Sequence, residues 1–191
     1  MTLPPPGPEV APSVPPPAAV PPRTRRQRVF AYRWLLLLAA AVLGADQATK
    51  AWVCARLPYP TFGPPGQITV IEDFFNIVNV GNTGAAWSLF SGRSTFLALL
   101  AVATLVAIFA WRRQLGLRQR PVQISFGLLC GGIVGNLADR IIHGHVIDFL
   151  DFHFGSYIYP TFNLADSGIC VGVIVYLLHS LRQPEDQSRG E

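Results

Sequence analysis

From residue 34 onward the chain alternates long apolar runs with polar connections. The first run, Trp34-Leu-Leu-Leu-Leu-Ala-Ala-Ala-Val-Leu-Gly-Ala45, keeps a helical pattern through Asp46 to Val53. Thr95–Trp111 carries no charge, Val122–Ile142 none until Asp139, and Thr161–Leu181 only Asp166. At about 1.5 Å per residue, each can cross a hydrocarbon core about 30 Å thick, with some tilt or with help from flanking residues. The pattern predicts an all-α membrane protein with four transmembrane helices, spanning approximately 34–53, 95–111, 122–142 and 161–181.

The connection Cys54–Arg93 breaks this pattern. It contains β-like stretches, Ile68–Ile71 and Phe74–Val80, followed by the turn-forming Gly81-Asn-Thr-Gly84. Ala85–Phe90 is apolar and aromatic enough for a short interfacial helix. A small external β-sheet and that short helix are therefore expected between helices one and two. The connection Gly144–Pro160 reads as a second external loop rich in His, Gly, Phe and Tyr.

Composition supports the membrane reading. Half of the 191 residues are hydrophobic and 14% are charged, against roughly 25% charged in a soluble domain, and the mean hydropathy is +0.35. Ten of the 17 prolines fall within the first 22 residues, so residues 1–28 read as a disordered, Pro-rich, basic cytoplasmic tail. A four-helix membrane domain follows over 29–182, with a second, cytoplasmic tail over 183–191. Basic residues before a twelve-residue apolar stretch also describe a secretory signal peptide. Continuation of the helix through Val53 and three further runs argue against cleavage. Cys54, Cys130 and Cys170 have no metal-like spacing and read as small apolar residues.

Charge then orients the spans. Of 15 basic residues, Arg23, Arg25, Arg26, Arg28 and Arg33 precede helix one. Arg112, Arg113, Arg118 and Arg120 lie between helices two and three, and Arg182 and Arg189 follow helix four. The positive-inside rule places these segments and both termini in the cytoplasm. The net charge of +4 is then a topology marker, and no nucleic-acid partner is expected.

Four aspartates fall at one membrane level. Asp46 lies about 18 Å along helix one, Asp139 about 25 Å along helix three, and Asp166 about 22 Å before the end of helix four. Asp148, nine residues after Asp139, belongs at the same outer boundary. A charge at the bilayer centre costs roughly 2.5–3.5 kcal/mol even on lenient scales, so these residues mark a site. Asn136, Asp139 and Arg140 share a helical face, and Asp46 is four residues from Lys50. Buried ion pairs and hydrogen bonds joining helices one and three explain Asp46, Lys50 and Asp139 best. Asp148 and Asp166 have no basic residue within four positions. They read as an acid–base dyad, a proton relay or a structural pair.

Five motifs carry a resemblance. Asp46-Gln-Ala-Thr-Lys50, Asn82-Thr-Gly-Ala-Ala86, Gly131-Gly-Ile-Val-Gly-Asn-Leu-Ala-Asp-Arg140, His145-Val-Ile-Asp148-Phe and Phe162-Asn-Leu-Ala-Asp-Ser167 occur in this order. Over roughly Tyr32–Leu181 the chain resembles the prolipoprotein signal peptidase (type II signal peptidase) family. The resemblance implies an intramembrane aspartic endopeptidase of the bacterial inner membrane that cuts lipidated prolipoproteins just before a diacylglyceryl-modified cysteine. It implies Asp148 and Asp166 as the catalytic pair, with Asn82, Gly84, Asn136, Arg140 and Asn163 lining or bracing the site. Asp46, Lys50 and Asp139 would support the fold, with membrane lipid as surroundings and no metal or other cofactor. Trp87 departs from the phenylalanine common in the family, and the Pro-rich tail is not part of its pattern.

Two other classes compete. His143, His145, Asp148, Asp151 and His153 fall within eleven residues, a composition compatible with a metal-dependent hydrolase. Intramembrane acids also fit a proton- or ion-coupled carrier. Neither a helical H-E-x-x-H pattern nor matching interrupted helices occurs in the sequence.

Overall fold

The computed structural model describes residues 30–85 and 89–182. The expected tails over 1–28 and 183–191, and residues 86–88 of the expected interfacial helix, lie outside the described residues. Among the described residues the long helices are α1 (Arg33–Arg56), α2 (Ser94–Ala110), α3 (Arg120–His143) and α4 (Leu164–Leu181). Their bounds follow local chemistry. Pro121 occupies the first turn of α3, where its missing N–H costs no hydrogen bond. Gly144 ends that helix with φ of 76°, a left-handed conformation suited to glycine, and its N–H donates to the Arg140 carbonyl at 3.2 Å.

α3 is the central element, and close approach explains its many glycines. A Cβ at Gly127 or Gly131 would come within 3.0 and 2.8 Å of the Leu35 and Ala39 carbonyls of α1. One at Gly132 would run into the Ala165 carbonyl of α4, and one at Gly172 would reach the Ser125 carbonyl at 2.6 Å. Small residues on two faces of α3 thus let α1 and α4 lie directly against it. α2 buries only Leu97 and leaves Leu99, Val106 and Phe109 exposed.

Two helices, α3 and α4, are long and apolar enough by themselves to cross a membrane. The 17 residues of α2 reach about 26 Å, slightly short of a 30 Å core. α1 has the length, at 24 residues, but carries buried Asp46 and Lys50.

A four-stranded antiparallel sheet, in the order β1 (Ile68–Ile71), β2 (Phe75–Asn82), β3 (Val146–Phe154) and β4 (Tyr157–Ile158), covers one end of the helices. Two expectations change here. Gly81 and Asn82 continue β2, opposite Ile147 and Val146, so the turn begins later than the glycine pattern predicts. The expected 144–160 loop is mostly β3 and β4, because apolar and aromatic residues fill Val146–Phe154 and its first four positions are all buried. Val53 and Leu57 of α1 pack on Phe149, with Ile68, Ile77, Leu150 and Leu164 around them. This core fixes the sheet over the helix ends.

Candidate active site

Asn163 is where sheet and helix meet. Phe162 pairs with β3, its carbonyl accepting from Leu150 N at 2.9 Å, so α4 starts at Leu164 and not at the expected residue 161. Asn163 caps that start: its Oδ1 accepts from Asp166 N at 2.9 Å, and Asp166 Oδ2 accepts from Asn163 N at 3.3 Å. This reciprocal box leaves Asn163 Nδ2 pointing at β3, where it donates to Asp148 Oδ1 at 2.8 Å. Asp148 therefore sits within a strand, not in the external loop that the sequence predicts over Gly144–Pro160.

The two carboxylates are linked through asparagines. Asn163 Nδ2 also lies 3.1 Å from Asn136 Oδ1, and Asn136 Nδ2 donates to Asp166 Oδ1 at 2.7 Å. Asn82 Nδ2 donates to the other Asp148 oxygen at 2.9 Å. Each carboxylate thus accepts two hydrogen bonds. Asp148 is 1% exposed and Asp166 is half-buried. Burial, reinforced by the nearby Asp166 charge, pushes Asp148 up to about 7, against the opposing hydrogen bonds from Asn82 and Asn163 and the charge of Lys50.

Beneath the asparagines lies an ionic lock. Lys50 Nζ is 2.8 Å from Asp46 Oδ2, 2.7 Å from Asp139 Oδ2 and 3.1 Å from Asn136 Oδ1. Asp46 Oδ1 accepts from Ala165 N at 2.9 Å, satisfying a free N–H at the start of α4. Asp139 Oδ2 accepts from Ile147 N at 3.1 Å and so anchors β3. Asp139 pairs with Lys50, not with its helical neighbour Arg140. Arg140 instead donates from Nη2 to the Gly84 carbonyl at 3.0 Å and from Nη1 to the Asn136 carbonyl at 3.2 Å. Gly84 N donates to Asn82 Oδ1 at 2.9 Å. A Cβ on Gly84 would lie 2.7 Å from the Leu89 carbonyl.

The ten residues that the resemblance assigns to the site and its support therefore fall in one continuous hydrogen-bonded network. A cavity of about 560 Å³ opens beside it, with Asn82, Gly84, Asn136, Arg140 and Asp166 on its polar wall. Val146, Phe162, Ile169 and Val171 contribute an apolar wall. Gln47 belongs to the network but escapes notice in the sequence: its Nε2 donates to Asp139 Oδ1 at 2.9 Å and to the Gly135 carbonyl at 3.3 Å. Its position one residue from Asp46 was the available clue. Apart from Asp148, the residues of the histidine-rich stretch are engaged elsewhere. His153 Nε2 is 2.7 Å from Asp151 Oδ2, and His145 stacks on Tyr59 at 5.3 Å. Among the described residues, no three His, Cys, Asp or Glu side chains converge as a ligand set.

Known proteins are similar to this chain in sequence and fold. The family model described as signal peptidase (SPase) II matches residues 38–182. A lipoprotein signal peptidase of Azoarcus sp. (strain BH72) is 41% identical over 154 residues, 77% of this chain and 82% of that protein. One from Oleidesulfovibrio alaskensis is 45% identical, covering 74% of this chain and 90% of its own length. A solved bacterial membrane enzyme superposes with a TM-score of 0.69 at 30% identity, over 82% of this chain and 93% of its own. A second, also a bacterial membrane enzyme, gives 0.66 at 32% identity, over 78% and 94%. With five ordered motifs, a matching family model and relatives similar over most of their length, the chain belongs to the signal peptidase II family.

Proposed function

We propose that this peptidase removes the signal peptide from diacylglyceryl-modified prolipoproteins by aspartic catalysis, with Asp148 and Asp166 as the dyad. The reading is carried by one observation: two carboxylates of different burial are joined through Asn136 and Asn163, and one of them, Asp166, stands at the polar wall of a largely apolar cavity, with Asp148 buried behind it. Two such groups resist ionising together, so one proton is shared between them near neutral pH. Asp148, the more buried and with its proton affinity raised, holds that proton. Asp166, facing the cavity, takes a proton from water as the water oxygen bonds to the scissile carbonyl carbon. Asp148 donates to the carbonyl oxygen, giving a tetrahedral diol. Collapse of the diol breaks the C–N bond, and a proton passes to the departing amine. Asn82, Gly84 and Arg140 shape the rim, and the apolar wall accommodates the acyl chains.

In the same reading α1 and α2 join α3 and α4 as membrane spans, with α1 shielding its charges against α3 and α2 tilting little or thinning the bilayer locally. Both termini face the cytoplasm and the sheet lies at the outer surface of the bacterial inner membrane, with the domain limits given above. The unwound substrate backbone finds an amide partner at Asn136, which lines the cavity and is held by Asn163, where unpaired peptide groups would cost several kcal/mol each in lipid.

Purified protein incubated with a synthetic lipidated precursor tests this. Asp148→Asn and Asp166→Asn are expected to remain folded and to abolish cleavage. Normal processing by either variant, or chelator inhibition reversed by zinc, would overturn the assignment.

A further inference from the structure

The other end of the helices carries a built cationic site that the peptidase reaction does not use. Along α3 it lies 19 residues from Asp139 (Arg120 to Asp139), about 28 Å. A cavity of about 490 Å³ is lined by Arg112, Arg113, Arg118 and Tyr32. A second, of about 320 Å³, is lined by Arg33, Arg118, Arg120 and Trp34. Arg118 therefore stands between two pockets, with two further arginines on each side. Among the described residues none of these five arginines has a carboxylate at ion-pair distance.

The arrangement is held in place. Leu117, 3% exposed, plugs into Val122 and Phe126, with Tyr32 and Leu35 packed against them. Gln123, also 3% exposed, donates from Nε2 to the Ala31 carbonyl at 2.7 Å and to the Arg118 carbonyl at 3.3 Å. Its Oε1 accepts from Trp34 N at 3.3 Å. One buried amide thus pins the start of α1 and the backbone of Arg118 together. Charge placement runs against helix electrostatics: α1 begins at Arg33 and α3 at Arg120, with no acidic residue in either first turn and no side-chain cap. Cations at the positive end of a helix dipole repel it, and an anion held there reverses the sign of both interactions.

We propose that the pockets on either side of Arg118 bind phosphodiester headgroups of anionic glycerophospholipids. The guanidinium groups supply charge-assisted, bidentate contacts to phosphate, and Tyr32 and Trp34 have the amphipathic character of headgroup-level aromatics. The site needs no particular assignment of the catalytic residues.

The test uses full-length protein in neutral detergent, titrated with phosphatidylglycerol, cardiolipin, phosphatidylcholine or inorganic phosphate, reading Tm and bound lipid by native mass spectrometry. Phosphatidylglycerol and cardiolipin are expected to raise Tm and remain bound, and phosphatidylcholine and inorganic phosphate to do neither. Arg118→Gln should weaken lipid binding about five- to tenfold, and Arg113→Gln should reduce it less. Arg182→Gln removes an exposed charge beyond the end of α4 that lines neither pocket, and should retain full binding. Equal stabilisation by inorganic phosphate or phosphatidylcholine would overturn the proposal. So would equal losses in Arg118→Gln and Arg182→Gln, which would reduce the effect to mean charge.

Discussion

Replacing Asp148 by asparagine separates what this residue does for chemistry from what it costs the fold. In the native protein its proton affinity is raised from an ordinary 3.8 to about 7, chiefly by burial and then by Asp166. The unfolded chain releases that proton near the ordinary value. Between these limits the folded state binds more protons than the unfolded state, so this group makes stability fall as pH rises, levelling off above about 7. The interval is worth about 4 kcal/mol at 1.36 kcal/mol per pH unit. Asparagine removes the whole slope. It also places an NH₂ group against one of the two donors, Asn82 or Asn163, that meet the carboxylate, costing about 1–3 kcal/mol at every pH. The variant should be less stable than wild type near pH 4 and about 1–3 kcal/mol more stable at pH 8.

Thermal unfolding in detergent, followed by tryptophan fluorescence from pH 4 to 8, reads this directly. At about 2–4 °C per kcal/mol for a chain of this size, the Tm difference should swing by about 8–16 °C. The same preparation should show no cleavage of lipidated precursor. Wild-type turnover should fall with rising pH above about 7, as Asp148 gives up the proton it donates. A Tm difference that is flat with pH, or cleavage by the variant, refutes the reasoning.

Other consequences of the network are equally measurable. Lys50→Met leaves Asp46 and Asp139 buried without their cation and should cost about 3–5 kcal/mol, seen as loss of membrane-inserted protein; Asp139→Asn should lower abundance by the same route. Normal yields of inactive protein from either would contradict the structural role. Asn163→Ala deletes the α4 cap and both amide links at once; a stability loss of about 1–2 kcal/mol should accompany a much larger loss of turnover, and unchanged activity would remove Asn163 from the site. Gly132→Ala drives a methyl group into the Ala165 carbonyl and to within 2.8 Å of Ile169, so it should lower stability by about 1–3 kcal/mol and reduce turnover by displacing the start of α4. Gly44→Ala, with nothing within 4 Å, should be neutral or stabilising by up to about 1 kcal/mol.

The helices were readable because apolar runs without charge have few alternatives. The expected 95–111 and 122–142 differ from Ser94–Ala110 and Arg120–His143 by one or two residues. The site residues were readable for a related reason: carboxylates, amides and a lysine in apolar segments need partners. Their geometry was not. Asp148 and Asp166 are 18 residues apart in sequence, and the pairing of Phe162 with Leu150 and the bonds of Asn163 to β3 bring the start of α4 against that strand. That pairing was hidden because Gly144–Pro160 has the composition of a loop, while Val146–Phe154 has the β-branched and aromatic content of a buried strand. The glycine contacts of α3 were hidden too, since a glycine in an apolar helix does not reveal which neighbour it admits.

Those glycines and the ionic lock solve one problem together. A dyad in an apolar setting needs its backbone supports as satisfied as its side chains, or the supports would relax toward any available partner. Asp46 takes the Ala165 N–H, and Asp139 takes the Ile147 N–H. The two residues flanking the carboxylates, at positions 165 and 147, are thus each tied to the same Lys50 through an aspartate. Lys50 has only donors, so it fixes Asn136 with its oxygen toward the ammonium and its NH₂ toward Asp166. The spacing of the two carboxylates is therefore set by a lysine that touches neither, and close helix contact at Gly132 and Gly135 lets that lock reach α4. In Gly135→Ala, whose added Cβ would lie 2.6 Å from Asp46 Oδ2, cleavage should fall more steeply than stability. A proportional loss of both would show that the lock supports the fold without positioning the dyad.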